Sequence, residues 1–266
     1  MPNTRAAAVA GYFYPAAPAQ LAAMVQSMLR DTGCSPLPHQ PKALIVPHAG
    51  YIYSGPVAAT AYHALEPWAD TIQRVVLLGP SHRVALRGLA LPDVTAFATP
   101  LGDVPIDTAL CEQLARLPQV QIMESCHAAE HSLEVQLPFM QNVLKDFRLV
   151  PLVVGLASPQ EVADVLEFAW GGPETLIVIS SDLSHYQPYE QATVRDADTL
   201  QRIVSGHNHI GDQDACGATA IRGLLHLVSE FGMKGELLDY RNSGDTAGDK
   251  SRVVGYAAVV FTEDRQ

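Results

Sequence analysis

The sequence predicts an α/β protein with a central mixed, largely parallel sheet flanked by helices. Three observations carry this. The runs Ala43–Val46, Val75–Leu78, Leu149–Val154 and Leu176–Ile179 are continuously apolar and rich in β-branched residues, the mark of strands covered on both faces. Helical patterns fall between them, so strand and helix alternate. The closing segments Glu236–Tyr240 and Arg252–Thr262 are strand-like and set among Gly232, Gly235, Gly244 and Gly248, so part of the sheet is expected to be antiparallel.

The first element is a helix over Ala17 to Leu29, where Leu21, Met24, Val25, Met28 and Leu29 repeat at three- and four-residue spacing and Gly33 supplies a stop. The Pro-rich stretch Ser35–Pro41 then joins this helix to the core. Further helices are expected over Val57–Leu65, Thr108–Leu117, Leu133–Leu144, Pro159–Trp170, Tyr189–Val204 and Ala218–Phe231. No internal repeat or low-complexity segment interrupts the pattern. A single domain over 1–266 is expected, with the N-terminal helix and linker, 1–41, packing on the core.

Charged residues are 17% of the chain and apolar residues 48%, a composition that forms a core and excludes a disordered chain. With 17 Lys and Arg against 28 Asp and Glu the net charge is −11, which repels phosphate backbones and anionic membrane surfaces, and no basic patch offsets it. Nucleic-acid and membrane partners are therefore not expected. The longest apolar stretch, Val253–Phe261, is far short of the ~20 residues of a membrane span, and aromatics and prolines break the N-terminal apolar region that a signal peptide needs. A cytoplasmic protein is expected. Cys34, Cys111, Cys126 and Cys216 are far apart with no C-x-x-C pair, which argues against a zinc ribbon, a thioredoxin motif and a disulfide framework.

The chemistry lies at the ends of the strands. Ile45-Val46 runs into Pro47-His48-Ala49-Gly50, Leu77-Leu78 into Gly79-Pro80-Ser81-His82, and Ile177–Ile179 into Ser180-Ser181-Asp182-Leu183-Ser184-His185. In open α/β sheets the ligand crevice lies at the carboxyl ends of the strands, so these groups can converge. His48 and His82 arrive on loops stiffened by Pro47 and Pro80, suited to holding imidazoles around a metal. A lone histidine after a strand is more often a structural hydrogen-bonding residue; the joint delivery favours a site.

Cys126-His127-Ala128-Ala129-Glu130-His131 precedes the helix expected over Leu133–Leu144. There the free N–H groups favour negative charge, which suits Glu130 and Glu134 as helix-capping residues and leaves open a second reading, in which the helix start helps bind an anionic substrate. Cys216 stands at another helix start, where spacing alone leaves it either an inert buried thiol or a better ligand. The run Gly244–Ser251 places Asp249 between Gly248 and Lys250 and so lacks a phosphate cradle, and G-x-G-x-x-G, H-E-x-x-H and G-x-S-x-G are absent. Ser180, Ser181 and Ser184 beside His185 fit a polar loop better than a serine hydrolase.

Taken in order, Ala10-Gly11-Tyr12-Phe13-Tyr14-Pro15, Pro47-His48-Ala49-Gly50-Tyr51, Gly79-Pro80-Ser81-His82, Glu130-His131-Ser132-Leu133-Glu134, Ser181–Tyr186 and Cys216-Gly217 form a pattern from about Gly11 to Phe261 that resembles the Memo family. Bacterial and archaeal members are named protein B of the AmmeMemoRadiSam system. The resemblance implies the fold of class III extradiol dioxygenases, which hold non-haem Fe(II) with two His and a carboxylate. It also implies that His48 and His82 are metal ligands with Cys216 as the third. A thiolate in place of the carboxylate is softer, so Fe(II) is expected with copper or zinc as alternatives. By the same resemblance His131, Asp182 and His185 are pocket residues for orientation or proton transfer.

The resulting expectation is a dioxygenase-like, non-haem-iron oxidoreductase acting on a small phenolic or chelating substrate. Two other readings compete with it: a non-catalytic metal- or phosphopeptide-binding module, and a zinc-dependent hydrolase indifferent to oxygen. Radical-SAM and AMMECR-type proteins are the partners the resemblance implies.

Overall fold

The computed structural model describes residues 3–34, 37–246 and 248–263; Ser35 and Pro36 of the Pro-rich stretch lie outside them. In chain order the elements are β1 (Thr4–Arg5), α1 (Pro18–Arg30), β2 (Pro41–Val46), α2 (Tyr51–His63), β3 (Arg74–Pro80), β4 (Leu89–Leu91), β5 (Ala96–Thr99), β6 (Gly102–Pro105) and α3 (Thr108–Leu114). Then come β7 (Val120–Ile122), α4 (Glu124–Ala128), α5 (Leu137–Val143), β8 (Arg148–Val154), α6 (Pro159–Phe168), β9 (Thr175–Ser180) and β10 (His185–Gln187). The chain closes with α7 (Tyr189–Val204), α8 (Ala218–Glu230), β11 (Lys234–Asn242), α9 (Ser243–Thr246) and β12 (Val253–Thr262).

Among the described residues the main sheet runs β10–β12–β2–β9–β3–β8–β4–β7, with β11 also paired to β12. The four predicted apolar strands are its centre, β2–β9–β3–β8, all parallel. β12 joins β2 antiparallel, and β4 joins β8 antiparallel, so the sheet is mixed as expected. Continuous hydrophobicity has its predicted cause. Leu44, Val46, Val75, Leu77, Leu176 and Val178 face one apolar core, closed by residues of α1, α2 and α5. Ala43, Ile45, Val76, Leu78, Ile177 and Ile179 face a second, closed by α6, α7 and α8.

Three local differences have physical causes. The helix expected at Val57–Leu65 starts at Tyr51, because Gly55 and Pro56, which resemble a loop, are accommodated inside it. A Cβ on Gly55 would meet Met28 Sδ at 2.7 Å, so the glycine is what lets α2 lie against α1. The helix expected at Leu133–Leu144 is split into a 3-10 turn, Glu134–Gln136, and α5. Strands β4 to β7 and β10 are three or four residues long and carry too few residues for a periodic signal. No helix among the described residues is long and apolar enough to cross a membrane, and no disulfide joins any of the four cysteines.

Register brings the strand ends level: Val46 pairs with Ser180, Leu78 with Ile179, and Pro80 with Val154. The loops after β2, β3 and β9 therefore open on one edge of the sheet.

Candidate metal centre

On that edge His48, His82 and His131 converge, with one ligand atom from each lying within 4.8 Å of the others. The His82 and His131 rings stack at 4.6 Å, and His48 meets both edge-on at 5.2 and 5.5 Å. Cys216 Sγ is 3.2 Å from His48 Nε2. It is held there by the Asp182 amide at 3.3 Å, while the Cys216 N–H donates to the Asp182 carbonyl at 3.2 Å.

Each histidine is held by the fold. The His48 amide donates to Asp182 Oδ1 at 2.7 Å, and its Nδ1 lies 2.9 Å from Ser180 Oγ. His82 is held twice by one carboxylate: its amide donates to Glu130 Oε2 at 2.7 Å and its Nδ1 lies 2.8 Å from Oε1. Because an ionised carboxylate only accepts, Nδ1 carries a hydrogen and Nε2 of His82 is the atom left to face a ligand. Glu130 Oε1 also accepts the amides of His131 and Ser132. Burial works against that charge, yet the His82 side chain and amide and the Ser132 amide hold the carboxyl at about 2. Glu130 is thus consumed internally, as the group that orients His82 and accepts the amides of His131 and Ser132. Its neighbour Glu134 is consumed too, by Arg5, Tyr14 and the amides of Ala8 and Val9.

His131 packs against Phe13 at 4.7 Å between ring centres, and its Nδ1 is buried without a hydrogen-bond partner. Burial keeps His48 well below the ordinary histidine range and lowers His131 to about 4, so both imidazoles are neutral, the form that binds metals. Burial, with the Asp182 charge second, pushes the Cys216 thiol up to about 12, so in the metal-free protein the sulfur keeps its proton. An oriented nitrogen set with an adjoining thiol fits a transition metal that favours imidazole and sulfur.

Of the residues singled out from sequence, His48, His82 and His131 form the cluster, and Cys216, expected as the third ligand, adjoins it through His48. Asp182 supports them through the His48 and Cys216 backbones, its carboxyl pushed up by burial. His185, on β10, stands outside the three-histidine group and lies 5.7 Å from the Tyr186 ring between centres. Tyr186 has φ +58°, an uncommon, strained conformation for a side chain of its size, and it is exposed. The serines behave as a polar loop: Ser181 Oγ accepts the Gly217 amide and donates to the Asp182 carbonyl. Sequence reasoning missed Ser180 and Gln136 behind His48 and the pairing of Glu130 with His82. The adjacency of Glu130 to His131 was the available signal for the last.

A cleft of about 640 Å³ reaches Cys216 from outside, lined by Val84, Leu86, Val154, Leu156 and Ala220 and bearing Arg87 and Asp212.

The Memo-like protein family model matches residues 5–260. MEMO1 family proteins of Sulfolobus acidocaldarius, Methanopyrus kandleri and Aquifex aeolicus are 36%, 38% and 36% identical to this chain, covering 97% of it and 98–99% of their own lengths. A solved structure, an uncharacterized protein from Escherichia coli K12, shares the fold with TM-score 0.53 over 83% of this chain and 100% of its own, at 14% identity. The chain belongs to the Memo-like protein family.

Proposed function

We propose that this protein is a dioxygenase-like, non-haem-iron oxidoreductase acting on a small phenolic or otherwise chelating molecule. His48, His82 and Cys216 would hold the ion, Fe(II) in the first place with copper or zinc as competitors, and His131, Asp182 and His185 would serve orientation and proton transfer. The observation that carries the reading is the convergence of three histidines within 4.8 Å beside a thiol, on the carboxyl edge of parallel strands.

When bound, iron supplies Lewis acidity and one-electron chemistry at this edge. The chain supplies the rest. Glu130 holds His82 in one orientation, and the Cys216 cleft gives an apolar molecule a way to the sulfur face. Asp182, its carboxyl raised above the ordinary aspartate range by burial, would hold a proton more readily than an exposed aspartate, which suits it to proton transfer. Neutral His131, whose Nδ1 lies 3.4 Å from Glu130 Oε1, can take up a proton that this carboxylate would stabilise.

Elemental analysis of anaerobically purified protein beside H48A, H82A and C216A, with electron paramagnetic resonance after nitric oxide addition and oxygen uptake on a panel of phenols, tests this. Near-stoichiometric iron lost in all three variants, a nitrosyl signal and oxygen uptake support the oxidoreductase. Metal unaffected by the substitutions removes the site, and metal lost without any oxygen uptake leaves a binding module. Co-purification tests the radical-SAM and AMMECR-type partners.

A further inference from the structure

A neutral histidine carries one ring hydrogen, so it offers a lone pair at Nε2 only in the tautomer protonated at Nδ1. Behind His48 a buried chain of hydrogen bonds decides which tautomer exists. Tyr62 OH donates to Gln136 Oε1 at 3.0 Å, and Gln136 Nε2 donates to the Pro47 carbonyl at 2.9 Å and to Ser180 Oγ at 2.7 Å. The Pro47 carbonyl can only accept, so the Gln136 amide has one permitted orientation. Ser180 has a single hydroxyl hydrogen, and the Ser132 carbonyl, 2.6 Å away, takes it. A carbonyl and a hydroxyl oxygen at that distance without a hydrogen between them would repel.

With its hydrogen committed and one lone pair used by Gln136, Ser180 Oγ can meet His48 Nδ1 at 2.9 Å only as an acceptor. Nδ1 therefore carries the ring hydrogen, and the Nε2 lone pair faces Cys216 Sγ at 3.2 Å. None of these groups can turn to water: Tyr62, Ser132 and Ser180 are fully buried, and Gln136 and His48 are 1% and 2% exposed. The chain ends at Tyr62, whose ring stacks on Phe139 at 5.4 Å inside the core. It has no outlet for a proton, so it orients rather than conducts.

We propose that Ser180, fixed by Gln136 and the Ser132 carbonyl, is a positioning residue that locks His48 in its Nδ1-protonated tautomer and aims Nε2 at the cluster of Cys216, His82 and His131. The lock is a property of the metal-free chain. Its consequence, a ligand ready without rearrangement, rests on the metal reading proposed above.

Histidine-selective ¹⁵N labelling of the metal-free, full-length protein and a two-bond ¹H–¹⁵N spectrum read the tautomer directly. The wild type should show His48 protonated at Nδ1 with a pyridine-like Nε2; S180A should show a mixture of tautomers. Zinc titration of the same samples should be about 10- to 100-fold weaker for S180A, the usual loss when a ligand's orienting partner is removed. Wild-type His48 protonated at Nε2, or S180A with an unchanged tautomer and unchanged zinc affinity, overturns the proposal. If S180A does not fold, the wild-type spectrum alone decides. Nδ1 protonation in a wild type that binds no zinc upholds the lock and places the failure on the metal reading.

Discussion

Replacing Arg5 with alanine tests whether the N-terminal segment is part of the scaffold of the metal centre. The guanidinium donates to Glu134 Oε2 at 2.8 Å and to the carbonyls of His127 and Glu130 at 2.6 Å each, and it lies over the Phe97 ring at 4.8 Å. Glu134 is fully buried and also receives the Ala8 and Val9 amides and the Tyr14 hydroxyl, the last at 2.5 Å. R5A leaves that carboxylate without its cation and the Glu130 carbonyl without a donor, while the His127 carbonyl keeps the Glu130 amide at 3.2 Å. Breaking one side of a buried pair costs about 3–5 kcal/mol, and an orphaned carbonyl adds roughly 1 kcal/mol or more. The losses overlap, because the carboxylate can take up a proton, so about 4 kcal/mol is the expected total. For a chain of this length that lowers Tm by about 8–16 °C. Differential scanning calorimetry of metal-free protein at pH 7 measures it. R5M/E134M, which removes both charges, should be less damaging than the sum of R5M and E134M. A Tm for R5A within about 2 °C of wild type, well under the drop worked out from the lost contacts, would refute the reasoning and mean that residues 5–14 are not what braces the loop of Glu130 and His131.

Three further outcomes are expected. E130Q keeps the shape of Glu130 but removes the charge that holds His82 Nδ1, and isothermal titration should show zinc binding about 10- to 100-fold weaker; unchanged affinity would separate Glu130 from the site. G217A would place a Cβ 2.7 Å from Ser181 Cβ and 2.8 Å from its Oγ, so urea unfolding should show a loss of about 1–3 kcal/mol, together with weaker zinc binding as Cys216 shifts; full stability and full affinity would show that the loop yields freely. His127 donates Nε2–H to the Ala90 carbonyl, and burial lowers its pKa from 6.5 to about 4, so the folded chain refuses a proton that the unfolded chain accepts in that window. Its stabilising contribution is complete above pH 6.5 and disappears as pH falls towards 4, about 3 kcal/mol in all. Denaturation between pH 4 and 6.5 should therefore have a shallower pH slope in H127F, and an identical slope would assign the acid sensitivity to other groups.

From the sequence alone came the scaffold and the delivery of its chemistry. Continuous apolar runs at Ala43–Val46, Val75–Leu78 and Leu176–Ile179 are legible because a strand buried on both faces tolerates no alternation, and the histidines and aspartate that end those strands are legible because chain direction puts them on one edge. The order of motifs likewise carried the family. Tertiary structure alone decided which groups meet. Glu130 reaches His82 across 48 residues, Ser180 reaches His48 across 132, and Cys216 reaches the same edge across 168, separations at which no periodicity or local spacing carries information. Hydrogen-bond direction is decided there too: whether His48 presents a lone pair depends on a hydroxyl whose one hydrogen is claimed by the Ser132 carbonyl, and that claim exists only once the 3-10 turn before α5 is packed beneath the sheet edge.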